Sequence, residues 1–243
     1  MTFASEHWGV DNLFNIREAN PDVECGQWQF ELNGLWFSQE RRDDRVMLWQ
    51  TLKYGITDDL YAELEVHEPY ICESSRDSGA GDSVFRVFWR VLRETDCCPA
   101  LAFDAAVRAP SGCGSSGVDG TARGMVTKTL GDCFRVHFNG FVQTANGHIG
   151  RERFDRRHFQ WGAGPGVDYR LSENTVVLAN YLHRVNEEYG ESNQQIVEVG
   201  LIHNIPTDGN CQHAIKVGGD VTVDGRDSTP HLGAKLQYQV TWK

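Results

Sequence analysis

Residues able to do chemistry are scattered along this 243-residue chain, so spacing decides which of them can meet. Glu63 and Glu65 stand two apart. On an extended strand that puts both carboxylates on one face, as acid–base work would need. Arg86, Arg90 and Arg108 follow on later segments, and they make the pair half of a charge network rather than a catalytic dyad. His137 and Asn139 share a face in the same way, but a hydrolase built on them needs a serine beside His137, and spacing supplies none. His67, His158, His183, His203 and His213 fall at no metal-binding interval. Gly112-Cys113-Gly114-Ser115-Ser116-Gly117 fits GxGxxG, yet no helix or βαβ unit follows to hold a pyrophosphate, which leaves an external loop. Gly162-Ala163-Gly164-Pro165-Gly166 lies inside an alternating strand, where small residues permit a bend or a close approach. No catalytic residue, metal or cofactor is expected.

Composition narrows the classes. A chain 40% hydrophobic and 11% aromatic is too apolar for disorder, and it is long enough for one large domain. No run approaches the ~18 apolar residues of a membrane-spanning helix. A net charge of −11 argues against nucleic acid as a partner. A membrane β-barrel survives all three tests, because alternating strands average out as polar. Seven cysteines favour an oxidising compartment. The start, Met1 to Glu6, has neither a charged nor an apolar leader region, so an export signal is either missing or was removed before this numbering begins.

The elements that must position these residues are strands. Period-two alternation recurs along almost the whole chain, most clearly where Leu232, Ala234, Leu236, Tyr238, Val240 and Trp242 oppose Gly233, Lys235, Gln237, Gln239 and Thr241. Alternation and turn residues together predict about twelve strands near 27–38, 46–56, 60–70, 83–94, 99–109, 120–130, 133–145, 156–169, 175–187, 193–205, 211–223 and 230–242. Brief connections, such as Thr57-Asp58-Asp59 and Gly131-Asp132, alternate with longer ones, such as 71–82 and 146–155. That order belongs to an up-and-down meander with one trimmed end, and Greek-key sandwiches scramble it.

An even number of long antiparallel strands can close and leave no edge, which hydrocarbon requires. Aromatics near strand ends (Trp28, Trp36, Tyr54, Tyr61, Tyr70, Trp161, Tyr169, Tyr181, Trp242) suit interfacial girdles. Twelve strands also enclose more space than side chains alone fill. The expected lumen-lining set is Glu31, Lys53, Glu63, Glu65, Arg86, Arg90, Asp104, Arg108, Arg135, His137, Glu198, Lys216 and Asp220. Its mixed charge predicts weak ion selectivity.

Several motifs are similar to one known family. Tyr54-Gly55-Ile56-Thr57-Asp58-Asp59-Leu60-Tyr61-Ala62-Glu63-Leu64 with Pro69-Tyr70 resembles a pattern of bacterial outer-membrane transporters of the "MetA-pathway of phenol degradation" type. Pro99 to Phe103, Val107 to Gly112, Gly117 to Gly120, Thr127 to Asp132 and His137 to Gly140 extend the likeness over about 54–147. The resemblance implies an outer-membrane barrel passing small compounds, hydrophobic ones among them, and brings no catalytic residue. Lys243 after Trp242 departs from the aromatic ending of such barrels.

The assumed topology leaves two readings of the cysteines: bridges of Cys72 with Cys113 in long loops, Cys25 with Cys211 near the closing seam, and Cys97 or Cys98 with Cys133 in short turns, one thiol being left over, or seven free thiols. Residues 1–26 show little alternation and form a periplasmic segment, in which 11–18 could make a short helix that plugs the lumen, or a loose tail. The expectation is therefore an all-β protein: residues 27–243 a transmembrane barrel in the bacterial outer membrane, with short periplasmic turns, longer external loops, membrane lipid around it and small solutes within. Homo-oligomers or surface assemblies stay open. The alternative is a surface or secreted β-rich binding or structural module without pore activity.

Overall fold

Alternating sequence makes ribbons with two unlike faces, and the computed structural model joins these ribbons into one closed sheet. The structure describes residues 8–39, 42–67, 71–72, 81–112, 117–146, 157–207, 209–225 and 231–243. The strands are β1 (Trp28–Gln39), β2 (Arg42–Thr57), β3 (Leu60–His67), β4 (Ile71–Cys72), β5 (Ser83–Leu92), β6 (Ala100–Ala109), β7 (Asp119–Leu130), β8 (Phe134–Thr144), β9 (Phe159–Ser172), β10 (Thr175–Arg184), β11 (Gln194–Ile205), β12 (Cys211–Asp224) and β13 (Leu232–Trp242). Neighbours in sequence pair antiparallel, and β1 pairs with both β2 (Trp28↔Tyr54) and β13 (Trp28↔Trp242), which closes the barrel. The two-residue β4 adds to β2 beyond the end of β3, leaving twelve wall strands. Closure gives each of the twelve wall strands a strand partner on both sides.

Strand positions follow the alternation closely. The larger departures are β2, which begins four residues earlier than expected, and β9, which begins and ends three residues later. β10 ends three residues early and β5 two, and the end expected for β3 lies outside the described residues. The ladder of β9 with β10 continues to Ser172↔Thr175, and the Arg170 N–H donates to the Cys133 carbonyl 2.8 Å away. Those bonds carry the polar residues after Tyr169 onward in the strand.

Burial is inverted relative to a water-soluble barrel. Leu236 (56% exposed), Phe103 (57%) and Phe138 (52%) stand on the outer face, whereas Glu63 (1%), Lys53 (0%) and Glu198 (0%) are enclosed. A barrel facing water would bury the first group and expose the second. Lipid demands the reverse, and this wall presents an apolar outer face along its strands. Trp28, Trp36, Tyr54, Trp161 and Tyr169 lie on that outer face, as girdle residues would. Tyr61 does not: it points inward, fully buried, and stacks on Phe88 with ring centroids 4.9 Å apart.

Residues 8–26 lie inside the barrel. They enter and leave at the short-turn end, where Gly26 N–H donates to the Gly55 carbonyl at 2.8 Å and Trp8 meets Arg135 and Arg170. The short helix that 11–18 could have made does not form. This stretch is turns and bends, and its polar backbone bonds to the wall instead: the Arg17 N–H donates to Asn139 Oδ1 at 3.0 Å and the Asn15 N–H to Glu198 Oε2 at 2.7 Å.

The expected cysteine bridges need correction. Cys25, Cys97, Cys98, Cys133 and Cys211 are free thiols. Cys211 pairs in register with Trp242, which in turn pairs with Trp28. Cys25, bonded toward Ile56 on the far side of β1, is thus more than two strand spacings from Cys211, or roughly 10 Å, beyond disulfide reach. Likewise β7 separates Cys98 from Cys133, through Ala100↔Thr127↔His137. The Cys72–Cys113 pair lies outside the described residues, since Cys113 is not among them.

Candidate functional site

The inner segment and the inward face of the wall fit each other in shape. Inward positions otherwise given to polar groups carry two apolar patches. Val176, Leu178 and Ile202 pack with Trp8, Val10, Leu13 and Phe14. Tyr61, Phe88, Ala100, Ala102 and Met125 pack with Ala19 and Val23. Two facing glycines, Gly200 and Gly218, make room for the Phe14 ring: a Cβ at Gly200 would lie 2.5 Å from Phe14 Cε1, and one at Gly218 3.1 Å. A methyl at Gly200 would force the seated ring to shift, and one at Gly218 would crowd it.

Charge follows the same complementarity. The Arg17 guanidinium donates to Asp22 Oδ1 (3.0 Å), the Tyr61 hydroxyl (2.6 Å) and Asn12 Oδ1 (3.2 Å), and lies 4.7 Å over the Phe88 ring. Lys53 on β2 reaches Asp22 (2.6 Å), Glu31 (2.5 Å) and Asp11 (3.7 Å). Those three carboxylates are close enough together to hold a metal ion, but cations already stand among them: Lys53 at all three, Lys216 on Asp11 and Arg17 on Asp22. Arg135 bridges Glu18 (2.7 Å) and Asp168 (2.6 Å). Lys216 bonds Asp11, and Lys235 bonds Glu198. Each buried charge thus has an opposite partner, as burial requires.

The expected lumen residues fall into two groups. Glu31, Lys53, Glu63, Arg86, Asp104, Arg135, His137, Glu198 and Lys216 are buried on the inward face around the segment; Asn12 donates to Glu63 at 3.1 Å, and Arg86 joins Glu63 (3.0 Å) to Asp104 (3.2 Å). The others sit elsewhere. Arg90 pairs with Asp59 (2.6 Å) at the short-turn rim, Arg108 clamps Asp82 and Asp119 toward the long-loop end, Glu65 bonds His67 (2.9 Å), and Asp220 meets Lys235 (3.2 Å). Sequence reasoning passed over Asp11, Arg17, Glu18 and Asp22, because their segment has no period to mark a face. It also left out Asp168 and Lys235, which the alternation placed on polar rows.

The hydroxyl beside His137 belongs to Thr127, 2.9 Å from Nδ1, with Asp168 2.9 Å from Nε2. That hydroxyl is fully buried and accepts the Ala19 N–H at 2.8 Å. The trio anchors the inner segment instead of presenting a nucleophile. At the rim, hydrogen bonding from Arg93 holds the Asp59 carboxyl below its ordinary range, against its partial burial and with help from Arg90. A cavity of about 1200 Å³ opens beneath the segment at the same end, between Trp8, Asp22, Arg90, Arg170, Glu173 and Lys216.

No family model and no curated protein matches the chain. Solved structures do. The NanC porin is similar with a TM-score of 0.59 at 10% identity, over 88% of this chain and 99% of that one. The KdgM porin in complex with disordered oligogalacturonate gives 0.53 at 8%, over 88% and 98%. The translocator domain of the autotransporter NalP from Neisseria meningitidis gives 0.51 at 12%, over 91% and 90%. This is the outer-membrane β-barrel fold. The apolar outer face of the wall suits a surround of lipid.

Proposed function

We propose that the protein is an outer-membrane channel for small solutes, whose lumen its own residues 8–26 close as a plug. The observation that carries this reading is the fit of that segment to the wall: inward glycines, two inward apolar patches and opposite charges all meet it, while both its ends stay at the short-turn mouth. The segment's ion pairs and hydrogen bonds can be exchanged for water or solute, while its apolar contacts with the two wall patches favour the closed state. In the open state Glu31, Lys53, Glu63, Arg86, Asp104, Arg135, His137, Glu198 and Lys216 line the path, with Glu65, Arg90, Arg108 and Asp220 toward its two mouths. The motifs over 54–147 support the finer reading, a transporter of the phenol-degradation type that passes small compounds. No residue is assigned a catalytic role.

Planar-bilayer recording tests this. The intact protein should be almost silent, and a variant lacking residues 8–23 should conduct steadily. A deletion variant that folds, shown by heat-modifiable gel mobility, and still passes no current would overturn the channel reading. The same filled lumen favours a second reading, a permanently closed barrel used as a surface module, and that result would select it.

A further inference from the structure

Asp11 sits in a socket made by the barrel wall. Its Oδ2 accepts from Lys216, lies 3.7 Å from the Lys53 ammonium, and is 3.5 Å from Gln237 Nε2. All three wall side chains are buried. The Gln237 Oε1 atom has no hydrogen-bond partner. Lys53 keeps Glu31 on its own wall, but among the described residues the acid paired with Lys216 is Asp11. The segment's other carboxylates also meet wall cations, Glu18 on Arg135 and Asp22 on Lys53. When the segment withdraws, Lys216 loses its counter-ion and faces the lumen beside Lys53, a cationic spot that attracts an anion. Two ammonium groups and an amide N–H converging on one point suit a carboxylate's two oxygens.

We propose that Lys216, Lys53 and Gln237 form a binding site for a carboxylate-bearing small solute, which Asp11 fills as a built-in stand-in until the solute displaces it. This rests on the plug reading and names the solute class for it. Binding and opening are then one exchange: the solute's carboxylate takes the place of Asp11, and the socket never stands empty.

Limited trypsin digestion of the full protein in detergent micelles tests the exchange, with succinate as probe. Arg17 is fully buried in the closed state, so cleavage after it, read by mass spectrometry, reports withdrawal of the segment. Succinate should speed that cleavage several-fold over potassium chloride of equal ionic strength. Lys216→Met should be cut equally fast with or without succinate, whereas Lys216→Arg and the rim variant Lys128→Met should keep the response; heat-modifiable mobility shows that each is folded. Equal acceleration by chloride, or an undiminished succinate response in Lys216→Met, overturns the proposal. Asp11→Asn separates the two readings. If it is cut rapidly without solute while the parent ignores succinate, the carboxylate site falls and the plug stands. If Arg17 stays uncut in every sample, the plug reading fails and takes the site with it.

Discussion

Replacing Arg17 with Met removes the charge at the centre of the inner segment and keeps most of the volume. Arg17 donates to Asp22 at 3.0 Å, to Tyr61 at 2.6 Å and to Asn12 at 3.2 Å, and stands 3.7 Å from Asp104. Its removal does not orphan those groups completely. Asp22 keeps Lys53 at 2.6 Å and the Tyr61 hydroxyl at 3.0 Å, and Asp104 keeps Arg86 at 3.2 Å. The cost therefore falls below the full penalty of a stranded buried charge, and the methionine recovers packing on Phe88. Roughly 2–4 kcal/mol is the consistent range. At 1.4 kcal/mol per factor of ten, that shifts the closed-to-open ratio by roughly 30- to 700-fold. Single-channel recording in planar bilayers measures this ratio directly as open probability. If Arg17→Met folds, shows an open probability within about twofold of the parent, and deletion of 8–23 nevertheless opens the pore, the buried charge network does not hold the gate.

Further tests address separate parts of the structure. Gly200→Ala sets a methyl 2.5 Å from Phe14 Cε1; this overpacking costs about 1–3 kcal/mol, so conductance should rise, and adding Phe14→Ala should restore closure. Leu236→Arg places a charge on the outer face near mid-strand and should cost about 2–4 kcal/mol of folding stability in lipid vesicles, whereas on a water-facing surface it would change little. Cys25, Cys97, Cys98 and Cys211 are exposed free thiols, so maleimide should label all four in native protein without reductant. The Asp59 carboxyl is held below its ordinary range by Arg93, so its contribution is complete above the unfolded value of about 4 and is lost as pH falls through the lowered folded value. Urea midpoints of the parent and Asp59→Asn should differ from pH 7 down to about 4 and converge only below that.

The wall was legible because its physics imposes a period. Each strand separates lipid from an enclosed polar space, so Leu232 to Trp242 must alternate, and neighbours that obey the same rule close into a barrel. Cysteine pairing was not legible. Residues in neighbouring short turns look close along the chain, but Cys98 and Cys133 stand on opposite sides of β7, and a strand spacing is a fixed distance that sequence order does not show. Tyr61 looked like a girdle aromatic from its place near a strand end. Its parity, shared with Glu63, put it on the inner row, and parity decided its direction.

The inner segment's contacts with the wall escaped prediction for a different reason. Its partners are spread over β2, β3, β5, β6, β7, β8, β9, β10, β11, β12 and β13 rather than along one neighbour, so no repeat in residues 8–26 records them. The record lies in the wall instead. An inward row that held only water and ions would be polar throughout, and Tyr61, Phe88, Val176, Leu178 and Ile202 break that rule on rows that also carry Arg86, Glu63 and Glu198. Gly200 and Gly218 break it again by offering no side chain at paired inward positions. Exceptions to alternation on a barrel's inner face are thus the imprint of an occupant: apolar where it is apolar, hollow where it is bulky, and cationic where it brings Asp11 and Glu18.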